Sequence, residues 1–365
     1  MKELNTFQKY FVEEFYDDYR EGLISRRQFI RRVAYITGSM AATISTMSLL
    51  GCTAAELPAP TEPIPPPAAA TATSPPPDPT ATPSPEPTAT SPPPDPTATT
   101  PAEPTEGAAA GEAAEPTAAQ LEPVPGAQSP FSVPEGDPAV EAGEVTFTSQ
   151  GDEITAYLAR PVEDGVYPAI LVCHENRGLN PHIQDVARRF AKEGYVALAL
   201  DLLSREGGTA AHDRDEVPGL LSNAGAERHV ADFVAGFDYL RSLDYVDGQR
   251  IGMTGYCFGG GITWRVATAL PELKAAVPFY GPAPDLDQVS NIKAAVLGVY
   301  AEQDERINAG KDALEQALMD AGITHQMKVY PGVNHAFHND TGQRYVEAQA
   351  TEAWLDTLAW FEQHL

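Results

Sequence analysis

The stretch Gly252-Met253-Thr254-Gly255-Tyr256-Cys257-Phe258-Gly259-Gly260-Gly261 decides how the second half of this chain is interpreted. It has the Gly-x-nucleophile-x-Gly pattern of a nucleophile elbow, with cysteine in the nucleophile position. The apolar run before it predicts a buried strand, and the run after it predicts a helix over 258–270. A turn this sharp strains the backbone and needs small neighbours, which Gly255 and Gly259 provide. The helix N-terminus beyond Cys257 favours a thiolate over a thiol.

Two later residues complete the order nucleophile, acid, histidine along the chain. Asp304 follows the apolar run 294–300 by a few residues, where a carboxylate can orient an imidazole; Glu302 and Glu305 are its rivals. His335 lies in a loop after the last predicted strand and before the C-terminal helix. We therefore expect both side chains to meet the cysteine.

The predicted strand 168–174 ends in a loop that carries further candidate groups. A backbone amide is often donated from this loop to an oxyanion, so the N–H groups of Asn176 and Phe258 are the candidates for an oxyanion hole. Glu175 is a carboxylate at the end of an apolar strand, where a charge is costly unless it has a partner. The thiol of Cys257 is the partner that we expect.

These motifs resemble those of the dienelactone hydrolase (carboxymethylenebutenolidase) family, in the α/β-hydrolase superfamily, over about residues 144–365. The resemblance rests on Gly-Tyr-Cys-Phe-Gly-Gly, the Gln303-Asp304 step, Asn334-His335-Ala336-Phe337 and the His174-Glu175 strand end. It implies a triad of Cys257, His335 and Asp304. It also implies that Glu175 hydrogen-bonds the resting thiol and takes its proton when substrate arrives.

One position departs from the family pattern. The best-known members have an arginine four residues after the catalytic histidine that contacts the glutamate and the substrate carboxylate, and Asn339 occupies that place here. The departure puts the preference for an acidic lactone in doubt. Arg177 is the candidate to bind the substrate in its place, and Arg205 and Arg344 are further candidates.

Alternating apolar and amphipathic stretches over 141–365 predict an α/β fold with a mostly parallel sheet covered by helices on both faces. An antiparallel pair, 145–148 and 154–160, opens the domain. The remaining predicted strands are 168–174, 195–200, 249–254, 274–280, 293–300 and 324–330. The predicted helices are 181–193, 225–243, 258–270, 308–321 and 342–363.

Residues 1–51 have the pattern of an export signal. Ser25-Arg26-Arg27-Gln28-Phe29-Ile30 matches a twin-arginine motif, and an apolar stretch follows over 33–50. Leu49-Leu50-Gly51-Cys52 resembles a lipobox, which predicts cleavage before Cys52 and its lipidation. The sequence therefore predicts export by the twin-arginine pathway and attachment to the outer face of a membrane. The alternatives are an uncleaved anchor or a chance match.

Residues 52–140 are rich in Pro, Thr, Ala, Ser and Glu and cannot bury a core, so we expect a disordered tether. Upstream of the arginines, residues 1–24 carry acidic and aromatic side chains that predict a short amphipathic helix. Cleavage at Cys52 would remove this helix.

The composition excludes some partners. The chain has 51 Asp and Glu against 24 Lys and Arg, so nucleic acid is not an expected partner. The histidines show no metal-ligand spacing, and we expect neither a metal nor a cofactor.

The leading hypothesis is a cysteine hydrolase that cleaves a small ester or enol lactone through a thioester. Three alternatives remain open: a general carboxylesterase or other acyl hydrolase on the same fold, a surface-displayed binding module without catalysis, and a redox sensor that uses Cys173 and Cys257. The absence of a Cys-x-x-Cys motif counts against the last. The sequence does not indicate the oligomeric state or the physiological substrate.

Overall fold

The structure, a computed structural model, describes residues 4–38, Thr43 and 121–365. The predicted lipidation site Cys52, most of the apolar stretch 33–50 and the tether up to residue 120 lie outside the described residues. In the part of the chain that the structure describes, no helix is both long and apolar enough to cross a membrane.

Eight strands form one sheet in the order β1-β2-β4-β3-β5-β6-β7-β8. The pairs β1–β2 and β2–β4 are antiparallel and the others are parallel, so the sheet is mostly parallel as predicted. The strands are β1 (Val140–Ser149), β2 (Asp152–Pro161), β3 (Tyr167–Cys173), β4 (Val196–Leu200), β5 (Val246–Tyr256), β6 (Ala275–Phe279), β7 (Ala295–Ala301) and β8 (His325–Tyr330).

Helices cover the sheet because its central strands are buried along their whole length and need apolar partners on both faces. Two helices lie at the N-terminus, α1 (Thr6–Arg20) and α2 (Arg26–Thr37). The helices of the α/β domain are α3 (Pro181–Lys192), α4 (Val217–Ala224), α5 (Ala226–Arg241), α6 (Phe258–Ala269), α7 (Glu305–Asn308), α8 (Lys311–Asp320) and α9 (Glu347–His364).

The differences from the predicted elements are local. The predicted helix 308–321 corresponds to the shorter helix α8, and the one-turn helix α7 that precedes it was not predicted. The C-terminal helix begins at Glu347 instead of 342. The short helix α4 was not predicted, since its Pro218 and Gly219 favour a loop in the sequence; the proline stands in the first turn, where its missing N–H costs nothing.

Residues 121–139, which the sequence analysis placed at the end of the tether, pack on the domain. Val124 and Val133 are buried. The Arg188 Nε donates a hydrogen bond to the carbonyl of Val133 at 2.7 Å. The structured domain therefore begins upstream of the predicted boundary at residue 141.

The two N-terminal helices each begin with a capping box, which fixes where each helix starts. The side chain of Asn5 accepts a hydrogen bond from the Gln8 amide, and Ser25 accepts one from the Gln28 amide. The amphipathic helix predicted in residues 1–24 is confirmed as α1. Its aromatic face is buried in the same compact unit as the α/β domain.

Close backbone packing shapes the turn between β5 and α6. Cys257 has φ +59° and ψ −120°, a region that side chains rarely adopt. A Cβ added to Gly255 would lie 2.3 Å from the carbonyl oxygen of Gly259, and one added to Gly259 would lie 2.5 Å from that of Cys173. The glycines thus allow the helix to start directly against the strands.

We predict that Gly255→Ala lowers the free energy of unfolding by about 3 kcal/mol, because backbone must move to admit the methyl group. Urea denaturation followed by circular dichroism measures the change. Gly310→Ala is the matched control: its added Cβ has no neighbour within 4 Å, and we expect a change within about 0.5 kcal/mol. Equal stability of the two variants would contradict this account of the turn.

Candidate active site

Cys257 stands between β5 and α6 at one edge of the sheet, held by backbone hydrogen bonds. Its N–H donates to the carbonyl of Phe279 at 3.1 Å, and its own carbonyl accepts from Gly260 at 3.0 Å. Only 3% of the residue is exposed. The backbone N–H of Phe258, at the start of α6, is directed at the sulfur.

His335 and Asp304 meet beside this cysteine. The Nδ1 of His335 is 2.6 Å from Oδ2 of Asp304, and both residues are buried. Asp304 follows β7, and its other oxygen accepts from the Ile307 amide at the start of α7. Burial raises the pKa of Asp304, but pairing with His335 outweighs it and lowers the pKa below its usual value. A ring nitrogen of His335 lies within 4.8 Å of the Cys257 Sγ. The structure therefore brings the three predicted residues together.

Glu175 is buried close to this group but is not bonded to the thiol. One carboxylate oxygen accepts from the Asn339 amide, and the other has no hydrogen-bond partner among the described residues. Asn339, which stands where the resemblance places an arginine, thus contacts the glutamate as that arginine would. Burial raises the pKa of Glu175 above its usual value.

The hydrogen bond expected between Glu175 and the thiol is absent from the described residues because α1 supplies other partners. The Tyr10 hydroxyl is 3.3 Å from the Cys257 Sγ and 3.5 Å from the His335 Nε2. The Glu14 carboxylate oxygens are 3.5 and 3.7 Å from the same sulfur. The Asn176 side-chain amide donates to Glu14 as well.

Sequence reasoning missed Tyr10 and Glu14. Their only signal is a spacing of four residues, which places both on one face of a predicted amphipathic helix. That spacing shows a shared face but does not identify the surface against which the face packs. Because α1 lies about 240 residues from the elbow in sequence, no local pattern connects the two.

The candidate substrate-binding arginines lie in different places. Arg177 and Arg344 line a cavity of about 330 Å³ beside Cys257, together with Asn339. Arg205 was predicted wrongly: it pairs with Asp232 at 2.7 Å and Asp152 at 2.6 Å, and it is not among the residues that line this cavity. Its guanidinium joins α5 to the β1–β2 turn, so its role is structural.

The Glu14, Cys257 and His335 side chains approach one another closely enough to ligate a metal ion, since their donor atoms lie within 4.8 Å. Two of the three residues belong to the α/β domain and one to α1. Hydrogen bonds to Tyr10, Asn176 and Asp304 already occupy these groups.

Comparison with known proteins identifies the family of this chain. The family model described as "Dienelactone hydrolase family" matches residues 154–365. The chain belongs to the dienelactone hydrolase family. The expected α/β-hydrolase fold and the expected hydrolase class, acting on ester or lactone bonds, are confirmed at the level of this family.

Individual proteins and a solved structure are also similar to this chain. A Salmonella typhi protein named "Putative carboxymethylenebutenolidase" is 38% identical over 231 residues, which are 59% of this chain and 85% of that protein. Its Escherichia coli K12 namesake is 37% identical over the same length, 59% of this chain and 84% of that protein. The crystal structure of a Klebsiella pneumoniae protein named "Putative Dienelactone Hydrolase" is 36% identical, with a TM-score of 0.58. The match covers 62% of this chain and 100% of that protein.

We predict that Glu175→Gln in this dienelactone hydrolase family member flattens the fall in stability with rising pH. A carboxyl whose pKa is raised in the folded state stabilises the fold below its unfolded pKa, near 4.3, and the stability is lost as the pH rises toward the folded pKa. The loss of stability between pH 5 and pH 8 should therefore be larger in the wild type than in the variant. Urea unfolding at both pH values measures the difference.

Glu153→Gln controls for removing a carboxylate at the exposed surface. A pH dependence of Glu175→Gln equal to that of the wild type would show that Glu175 carries no such penalty.

Proposed function

We propose that this chain is a cysteine-dependent hydrolase of an ester or lactone that acts through a thioester intermediate. The observation that carries the proposal is the arrangement of Cys257 and His335, with Asp304 bonded to the far nitrogen of the imidazole at 2.6 Å. That bond sets the tautomer and leaves Nε2, which is 3.5 Å from the Tyr10 hydroxyl, as the ring nitrogen that exchanges the thiol proton. Family membership supports the same chemistry class.

In the first half of the proposed reaction, His335 accepts the thiol proton and the Cys257 thiolate attacks the carbonyl carbon. A carbon–sulfur bond forms and the carbonyl electrons move onto oxygen. Backbone amides of Phe258 and Asn176 stabilise this oxyanion, each worth about 2.7–4 kcal/mol in comparable enzymes. The oxyanion then collapses, the carbon–oxygen bond breaks, and the leaving oxygen takes the proton from His335.

In the second half, His335 removes a proton from water and the hydroxide attacks the thioester carbon. Collapse releases the carboxylic acid and the thiolate, which recovers the proton. Asp304 keeps the imidazole oriented and stabilises its charged form. Glu175, whose second oxygen has no partner among the described residues, is a second candidate acceptor for the thiol proton.

The leaving groups restrict the substrate. A thiolate leaves more easily than an amide nitrogen, so an adduct with an amide returns to reactants unless the nitrogen is protonated. Activated esters and enol lactones therefore suit this site better than peptides. We propose that Arg177, which borders the same cavity as Cys257, contacts an anionic group of the substrate.

We predict that Cys257→Ala lowers kcat/KM for lactones and p-nitrophenyl esters by at least about 10³-fold, because no attacking atom remains. Cys257→Ser should retain little activity, since an alcohol is far less acidic than a thiol. Asp304→Asn should cost less than His335→Ala, because the aspartate acts through the ring. Steady-state hydrolysis, by the full chain and by the chain that begins at Cys52 as signal cleavage would leave it, measures all four.

The buried Cys173 offers the matched control. It lies on β3 outside the proposed triad, so Cys173→Ala should keep the wild-type rate. Hydrolysis that survives in Cys257→Ala would rule out the nucleophile. Ordinary esters cleaved faster than enol lactones would instead favour the general carboxylesterase. No hydrolysis of any compound, by either the full chain or the chain that begins at Cys52, would favour the binding module.

We also propose that residues 1–51 direct export by the twin-arginine pathway and that Cys52 receives lipid. The motif itself supports this: Arg26 and Arg27 are exposed at the start of α2, accessible to a receptor. We predict that Arg26→Lys/Arg27→Lys retains the protein inside the cell and that Cys52→Ser releases an exported protein from membranes. Cell fractionation distinguishes the two results, and Arg20→Lys, also exposed, is the control. Unchanged fractionation of the double variant would remove the signal assignment.

A further inference from the structure

Helix α1 occupies the space that a substrate would need at the proposed nucleophile. A carbonyl carbon has to come within about 3–3.5 Å of the attacking sulfur. Atoms of Tyr10 and Glu14 already lie at 3.3 and 3.5 Å from that sulfur. The Tyr10 hydroxyl also lies within hydrogen-bond distance of His335, between the two groups that would exchange a proton.

An aromatic face holds α1 in this place. Phe7, Phe11 and Phe15 recur every four residues and are at most 2% exposed. The rings of Phe7 and Phe11 pack on Phe258, with centroids 4.8 and 5.4 Å away. Since each aromatic side chain buries about 150–250 Å² in such packing, the contact is apolar and extensive. Phe258, the residue beside Cys257, is thereby part of the surface that receives α1.

Acidic groups of α1 pair with arginines at the mouth of the site. Arg344 lies 3.0 Å from Asp18 and 2.7 Å from Glu21. Arg306 lies 3.5 Å from Asp17, and its guanidinium stands over the Tyr10 ring at 4.5 Å. Two arginines beside the site, Arg306 and Arg344, are thus bound to the acidic side chains of the helix.

Helix α2 contacts both α1 and the α/β domain. Phe29 is fully buried and stacks on Tyr19 of α1 at 5.6 Å. Arg32 pairs with Asp215 of the α/β domain at 2.8 Å. Gly219 of α4 is packed so closely that an added Cβ would lie 2.8 Å from the Tyr35 side chain. Both helices are therefore seated on the domain.

The contact also disfavours the reactive form of the cysteine. Burial, and after it the neighbouring Glu14 and Glu175 carboxylates, raise the pKa of the Cys257 thiol well above its usual value. A thiol is far less nucleophilic than a thiolate. Glu14 adds a negative charge beside the sulfur only while α1 is docked.

We propose that α1 and α2 form an autoinhibitory cover, and that the hydrolase becomes active only when residues 6–37 are removed or displaced. This inference rests on the proposed function, because the cover acts on the proposed nucleophile. The family match, over 154–365, does not include the cover. Cleavage before Cys52, as proposed above, would detach it after export, so the precursor would stay inactive until it reached its destination.

The test measures access to Cys257 in the full chain. Wild type, Phe11→Ala and Glu13→Ala are treated with iodoacetamide, and the alkylation of Cys257 is followed by peptide mass spectrometry, which separates it from Cys173. Phe11 lies on the buried face of α1, against the domain, and Glu13 lies on the exposed face of the same helix. The two variants are therefore matched in helix and in the residue introduced. We expect Phe11→Ala to accelerate alkylation at least about 10-fold and Glu13→Ala to stay within about 2-fold of the wild type.

A second variant tests the cover without a change in the hydrophobic core, in case Phe11→Ala exposes Cys257 by misfolding. Asp17→Arg/Glu21→Arg removes the pair of Asp17 with Arg306 and that of Glu21 with Arg344, adds positive charge beside both arginines and leaves the core and the Asp18 pair unchanged. It should also accelerate alkylation. Equal alkylation rates in the wild type, Phe11→Ala and Asp17→Arg/Glu21→Arg would overturn the cover.

Hydrolysis of p-nitrophenyl acetate by the same proteins separates the two proposals. Faster alkylation with proportionally faster hydrolysis supports both the cover and the hydrolase. Faster alkylation without hydrolysis of any ester or lactone supports the cover and contradicts the proposed catalysis.

Discussion

The structure depends on the contact between backbone atoms where α6 starts against the sheet. Because Gly255 and Gly259 have no side chain, the carbonyl oxygens of Gly259 and Cys173 can occupy the space that a Cβ would need. That contact accompanies the positive φ of Cys257, +59°, which places the cysteine at the turn between β5 and α6. Everything at the site is placed relative to this sulfur: the histidine loop after β8, the aspartate after β7 and the glutamate after β3.

Much of this site could be predicted because each group follows a strand of the parallel part of the sheet. Parallel strands bring their carboxyl ends to one edge, so residues far apart in sequence meet there. Cys257, Asp304 and His335 were found in this way, and the triad needs no pairing information beyond strand order. Arg205 was misplaced because it lies in a one-turn 3-10 helix between β4 and α4, where no strand register indicates which way its side chain points. Its partner Asp232 sits fully buried on α5, which no pattern around Arg205 indicates.

The N-terminal helices mark the limit of the sequence argument. The amphipathic character of α1 could be predicted because its aromatic side chains recur at helical spacing, whereas α2 was predicted only as part of an export signal. The surface on which α1 packs could not be predicted, because an apolar face can pack on any apolar surface, including a membrane or another protein. The same limit explains Glu175: an apolar strand end predicts a buried carboxylate that needs a partner, and Asn339 supplies a hydrogen bond where a thiol was expected. Partner choice between distant segments is a tertiary property.

The position of the Tyr10 hydroxyl between the sulfur and the imidazole has a thermodynamic consequence. Substrate and tyrosine exclude each other, so the apparent dissociation constant for substrate equals the intrinsic constant divided by the fraction of molecules in which the helix has left. Each 1.4 kcal/mol of docking free energy therefore weakens apparent binding tenfold. Reciprocity requires a tightly held substrate to loosen the helix by the same factor, which makes saturating ligand and proteolytic removal two routes to one state.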